Sequence, residues 1–174
     1  MGWPNREVLK IERIENGAQL GATDSHHTNL RSMLHAQGVT LQGGVHTRWL
    51  FHGTPSEAAI ASIISDSMSG FKVSMAGSTA GTLWGPGTYL ARDPQYCFDH
   101  GFYAAAADGS CKLFLCLVET GMPCVGNPEL SLDALPYRQE NHRYNSVVDS
   151  ISNPEIFCLG FSASVYPAYV LTFA

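Results

Sequence analysis

Apolar and polar residues alternate from Val8 to Ile14, with Val8, Lys10 and Glu12 set against Leu9, Ile11 and Arg13, and this period predicts a strand. Asp24 or Ser25 is placed to cap a helix that runs through Thr28 to Leu34 and ends before Gly38. Arg48-Trp49-Leu50-Phe51-His52 predicts a second strand, stopped by Gly53. Pro55 then suits the first turn of a helix, in which Ala58, Ala59, Ile60, Ile63 and Ile64 keep helical spacing towards Gly70. Residues 72–88 carry Gly77, Gly81, Gly85, Pro86 and Gly87 and predict an irregular loop of the kind that drapes over a ligand or simply wanders. Tyr89-Leu90-Ala91 predicts a short strand, followed by a helix from Asp93 through Ala107 with Pro94 at its start. Lys112 to Glu119 is a nearly continuous apolar strand, and 121–144 a long loop marked by Gly121, Pro123, Pro128 and Pro136. Val147-Val148, Ile156 to Phe161 and Tyr169 to Phe173 supply the last strands. There is no internal repeat. The pattern describes one α+β domain with a mostly β core and helices on its flanks.

Composition narrows the function classes. At 174 residues the chain fits one domain of the usual ~100–200 residues. Hydrophobic residues make up 45% and charged ones 14%, which is too apolar for a disordered chain. The net charge is -5 and Lys and Arg form no run, which argues against a protein that coats a phosphate backbone. Five cysteines at irregular spacing do not make a secreted disulfide framework and point to a reducing compartment. No apolar run approaches the ~18–20 residues that span a bilayer. The first residues lack the apolar stretch of a signal peptide, and Gly2 is followed by Arg6 where a myristoylation site has Ser or Thr. A cytoplasmic monomer is the expectation, and a delivered effector would read the same way.

The candidate chemistry sits at strand ends. Leu50-Phe51-His52-Gly53-Thr54 brings a histidine to the end of a buried strand, beside a glycine that lets a ligand approach the main chain. Gly85-Pro86-Gly87-Thr88-Tyr89-Leu90-Ala91 brings an aromatic ring out of a glycine-rich turn, and Phe102 and Tyr103 offer further rings. Other constellations weigh less. Gly81, Gly85 and Gly87 miss the spacing, the preceding strand and the later acid of a dinucleotide fingerprint. A zinc site from Cys111, Cys116, Cys124 and His100 is disfavoured, because Cys111 and Cys116 project from opposite faces of one strand. His26-His27 reads as solvent-facing or capping. Asp99 and His100 read as surface residues ahead of a tuning role.

Together these segments resemble the catalytic domain of the poly(ADP-ribose) polymerase family, the diphtheria-toxin-like ADP-ribosyltransferases. The resemblance runs from Val8-Leu9-Lys10-Ile11-Glu12-Arg13-Ile14 to Tyr166-Pro167-Ala168-Tyr169-Val170-Leu171-Thr172-Phe173. Between them lie the His-Gly-Thr strand, the Gly-x-Gly-Thr-Tyr-Leu-Ala strand and Tyr144-Asn145-Ser146-Val147-Val148-Asp149, all in the family's order. It implies the ADP-ribosyltransferase fold, two packed, mostly antiparallel β-sheets flanked by helices. It also implies a single catalytic domain over 1–174 without the regulatory helical subdomain, and NAD as substrate.

By that resemblance His52, helped by Thr54, bonds a hydroxyl of the adenine-side ribose, and Gly53 pairs its main chain with the nicotinamide carboxamide. Tyr89 stacks on one face of the nicotinamide and either Phe102 or Tyr103 on the other. Cys97 falls where the family usually has a serine, and is a poorer donor. The third member of the family's His-Tyr-Glu trio is placed on Ala163, which can neither hold a ribose hydroxyl nor activate an acceptor. The resemblance therefore implies a mono-ADP-ribosyltransferase that moves single units onto an acceptor, most simply a protein, with nucleic acid still open. The alternatives are an NAD- or ADP-ribose-binding module of the same fold and an NAD glycohydrolase.

Overall fold

The computed structural model describes residues 6–67, 70–73 and 83–174. Strand β1 (Val8–Arg13) leads into helix α1 (Gly17–Ala36), then strand β2 (Thr47–His52) and helix α2 (Glu57–Ser65). Strand β3 (Thr88–Ala91), helix α3 (Pro94–Asp99), strand β4 (Ala104–Ala105) and strand β5 (Cys111–Glu119) follow. The last third holds β6 (Pro123–Val125), β7 (Tyr137–Gln139), β8 (His142–Arg143), β9 (Ser146–Val148), β10 (Ile156–Leu159) and β11 (Val165–Phe173).

Nine strands form one ladder in the order β1-β11-β5-β2-β3-β10-β9-β6, with β4 on β5. All its pairs are antiparallel except β6 with β9, and β7 and β8 make a separate hairpin. The architecture is α+β, as its pattern predicts. Its two sheet halves meet at one residue pair, Phe51 with Ala91, so the two expected sheets are joined by the narrowest possible seam. One core cluster draws on both halves: Leu50, Phe114, Val118 and Val170 from one, Leu90, Phe157, Leu159 and Val148 from the other, with Ile60 of α2 packed on them.

Several element bounds differ from the sequence pattern. Helix α1 starts at Gly17, not near Asp24, because the Asn16 side chain accepts from the Gln19 main-chain N–H at 3.2 Å. Its buried stripe, Gln19, Thr23, Leu30 and Leu34, has helical spacing but begins with polar residues, which hid the first two turns. Gln19 is buried because its amide donates to Ile63 and Asp66 carbonyls at 2.8 and 2.7 Å, tying α1 to the end of α2. Helix α2 is capped by Ser56, whose Oγ accepts from Ala59 N–H at 3.1 Å, so Pro55 precedes the helix. Strand β11 begins at Val165 and accommodates Pro167 at a bulge, where its missing N–H is harmless.

The largest departure is α3, which stops at Asp99 instead of running to Ala107. Gly101 adopts φ +70°, a left-handed conformation that a glycine takes without strain. Its N–H donates to Phe98 O at 3.2 Å and the Phe102 N–H to Cys97 O at 2.8 Å. These two bonds make a Schellman cap, which reverses the chain and fixes where residues 100–102 lie.

Candidate functional site

Strand β5 offers one edge to two partners in succession. Strand β2 runs along it from the Thr47–Glu119 pair to the His52–Phe114 pair, and β4 takes over at Lys112. The chain therefore leaves β5 at Gly53 and returns to it just after Phe102. The two segments pass so closely that a Cβ on Gly53 would overlap the Phe102 carbonyl. Glycine at 53 is required by this crossing of the chain, a cause the sequence pattern did not contain.

His52 lies where the seam between the sheet halves opens. Its Nδ1 is 2.8 Å from the Tyr89 carbonyl oxygen. A carbonyl only accepts, so Nδ1 carries the proton, and in the neutral ring Nε2 is left as an acceptor. Phe71 meets the imidazole edge-on at 4.8 Å between ring centroids, and Phe114 lies at 6.4 Å. Burial lowers the His52 pKa, with the Tyr89 carbonyl acting weakly in the other direction, so the ring is held neutral. Thr54, two residues on, is buried.

Tyr89 meets His52 through its main-chain carbonyl, and its ring lies on the other face of the strand from Leu90, with one side against Trp84. Successive side chains on a strand alternate in face. Leu90 points into the central core with Leu50, whereas Tyr89 packs into a second cluster with Trp84, Cys124, Val147 and Cys158. Its ring stacks on Trp84 at 6.1 Å and 27°. Its hydroxyl donates to Gly85 O at 2.8 Å and accepts from Trp84 N–H at 2.9 Å, closing the turn that precedes the strand. Burial, with Cys158 adding to it, pushes the phenol pKa well up, so the hydroxyl keeps its proton.

The face of Tyr89 is shared by its partners on β10. Cys158 pairs with Tyr89 and Ile156 with Ala91, and both side chains join the Tyr89 cluster. Cys97 lies under Ala91 in a third cluster with Leu113, Leu171 and Phe173. It is 3% exposed, and burial first, then Asp93, pushes its thiol up to about 12. Phe102 and Tyr103 part company. Tyr103 packs with Phe98 in the third cluster, while Phe102, whose carbonyl and Cβ lie against Gly53, is 40% exposed.

Ala163 is not part of this assembly. It sits in a 3-10 turn, Ser162–Ser164, packed on α1 just before β11. Val165 pairs with Val118 at the Thr47 end of the ladder, whereas His52 pairs with Phe114 at the other end. At about 3.3 Å per residue, most of the length of β2 separates Ala163 from His52. The residues that flank Tyr89 on β10 are Ile156 and Cys158. Trp84, which the sequence pattern did not single out, is the ring neighbour of Tyr89, and His100 is a ring neighbour of Phe102. Among the described residues no cluster of His, Cys, Asp or Glu is arranged to hold a metal, and no helix is long and apolar enough to cross a membrane.

The model of the poly(ADP-ribose) polymerase catalytic domain matches residues 4–173. The chain belongs to that family. Among curated proteins it is similar to human protein mono-ADP-ribosyltransferase PARP14, 28% identical over 167 residues, which are 95% of this chain and 9% of that protein. It is similar to human protein mono-ADP-ribosyltransferase PARP12, 30% identical over 166 residues, 95% of this chain and 22% of that protein. A Dictyostelium discoideum protein named as a probable poly [ADP-ribose] polymerase is 27% identical over 169 residues, 96% of this chain and 44% of its own length. The chain thus spans less than half the length of these relatives. Membership of the poly(ADP-ribose) polymerase family accounts for the order of the strands that carry His52 and Tyr89, and relatives named for ADP-ribosyl transfer support that activity at the level of the family.

Proposed function

We propose that this chain is a mono-ADP-ribosyltransferase that uses NAD as substrate, with 1–174 acting as one catalytic domain. The observation that carries the reading is His52, held as the neutral Nδ1–H tautomer at the opening between the sheet halves. Its Nε2 is an acceptor suited to a ribose hydroxyl on the adenine side, with Thr54 beside it. Gly53 supplies main-chain groups for the carboxamide. Tyr89 gives one ring face to the nicotinamide, its other face being taken by Trp84. The second ring is Phe102 rather than Tyr103, because Phe102 is the exposed one at Gly53. A ring face attracts the cationic pyridinium by roughly 0.5–2 kcal/mol. Cys97, protonated and buried, is a weak partner for the carboxamide, at a cost of about 1 kcal/mol relative to a hydroxyl donor.

In the reaction the bond between the ribose C1′ and the nicotinamide nitrogen breaks, and its electron pair leaves with the ring, which becomes neutral. The ribose passes through an oxocarbenium-like state, as in glycoside cleavage. The acceptor's nucleophile then bonds C1′ and gives up its proton. The protein binds NAD in a reactive pose and grips the leaving base. Ile156 and Cys158, the neighbours of Tyr89 on β10, carry no carboxylate. A missing positioned base typically costs ~10²–10⁴-fold. Transfer is therefore slow and stops at one unit, and the natural acceptor is a protein that brings its own acid.

Incubation with labelled NAD, followed by mass spectrometry of the labelled products, tests this. Single ADP-ribose adducts are expected, and long polymers would contradict the reading. A second reading, a binding module without transfer, is favoured by the buried Cys97 thiol. It predicts ADP-ribose binding with no nicotinamide release above a His52→Ala control. Nicotinamide release without labelled protein would mark a glycohydrolase.

A further inference from the structure

The Schellman cap of α3 gathers three rings into a triangle. Tyr96 stacks on His100 at 4.2 Å and 26°, and His100 lies parallel to Phe102 at 6.0 Å and 10°. The His100 ring is itself fixed: its Nδ1 donates to the Tyr96 carbonyl at 2.9 Å, in the same element. The Phe102 main chain is fixed too, by its N–H on Cys97 O at 2.8 Å and by its carbonyl lodged over Gly53. That leaves one freedom, rotation of the side chain of Phe102, a residue 40% exposed. An exposed side chain moves between rotamers within picoseconds to nanoseconds unless something holds it. The only rings within stacking range of Phe102, among the described residues, are His100 and, tilted at 6.4 Å, Tyr96.

We infer that His100 is a positioning residue for nicotinamide: packed on Tyr96 and parallel to Phe102, it holds the Phe102 ring in one orientation at the Gly53 crossing. This rests on the transferase reading, in which Phe102 is the second ring against the base. Preorganising a ring before the ligand arrives spares the ordering cost at binding. On that reading the contact acts on the base, since His52 and not Phe102 takes the adenine-side ribose. The flat ring at position 100 is what matters, and its hydrogen bond only sets the ring's angle.

The test compares His100→Ala and His100→Phe with the unaltered chain, measuring the Kd of two probes, nicotinamide and ADP-ribose, by calorimetry. His100→Ala is expected to weaken nicotinamide by roughly 3- to 10-fold, the worth of one aromatic contact, and to leave ADP-ribose unchanged. His100→Phe, which restores a stacking ring, is expected to return nicotinamide to within about twofold of the unaltered chain. Unchanged nicotinamide binding in His100→Ala would overturn the inference. So would equal loss of both probes, which marks a merely structural role, or failure of His100→Phe to rescue. If the unaltered chain binds ADP-ribose but no nicotinamide, the role of Phe102 and that of His100 fall together. If it binds neither, the transferase reading itself fails.

Discussion

The Nδ1–H of His52 donates to the main-chain oxygen of Tyr89 at 2.8 Å, across the seam at which the two sheet halves are joined by a single residue pair. The imidazole continues the ladder where backbone pairing stops, and this leaves its Nε2 as an acceptor at the opening. His52→Ala removes that acceptor and leaves the Tyr89 carbonyl without its partner. ADP-ribose affinity should fall roughly 10-fold, the worth of about one hydrogen bond together with its ordering effect. Calorimetry on the folded variant measures it, and unchanged affinity would remove His52 from the site.

The same bond sets a pH dependence. Burial places the His52 pKa below its usual 6.5. Above that lowered value the ring is neutral and Nε2 accepts, and below it both nitrogens are donors. ADP-ribose affinity should therefore be flat from pH 8 down through about 6.5 and fall only at more acidic pH. A loss centred above pH 6.5 in a titration of Kd against pH would mean that the ring is not held neutral.

Gly53 and Gly21 make a matched pair. A methyl group on Gly53 overlaps the Phe102 carbonyl, whereas one on Gly21, in α1, meets nothing within 4 Å. Gly53→Ala should destabilise the chain by about 2–3 kcal/mol, as overpacking against main chain does. Gly21→Ala should stabilise it by up to about 1 kcal/mol through helix propensity. Thermal denaturation of the two variants should give shifts of opposite sign. A Gly53→Ala variant as stable as the parent would show that the chain crossing is looser than described.

Ala163→Glu tests the placement of the third position. Ala163 packs on α1, at the end of the ladder remote from His52, so a carboxylate there reaches neither Tyr89 nor a bound ribose. Nicotinamide release should change by less than about twofold, as for a change outside the site, and products should stay single units. Polymer formation by this variant would place Ala163 back at the site.

How much of this was legible in the sequence depended on the range of the interactions concerned. Strands β2, β3 and β5 were readable because their apolar residues face a core on at least one side, and the His-Gly-Thr and Gly-Thr-Tyr segments carried the family resemblance. Helix α1 was half hidden because its first buried positions are the polar Gln19 and Thr23, and Gln19 finds its partners more than 40 residues away. The end of α3 was legible in principle, since Gly101 follows a short helix opened by Pro94. Only the pairing of Cys158 with Tyr89 and of Ile156 with Ala91 shows which strand flanks Tyr89. Spacing did not separate Phe102 from Tyr103, because it is the cap after Asp99 that leaves Phe102 exposed and packs Tyr103 on Phe98.

A structure of the full chain with a non-hydrolysable NAD analogue tests the central claim most directly. The account predicts a ribose hydroxyl on His52 Nε2, the carboxamide on the Gly53 main chain and the nicotinamide between the rings of Tyr89 and Phe102. A dinucleotide bound away from the β2–β3 seam, with His52 Nε2 in contact only with protein, would contradict it.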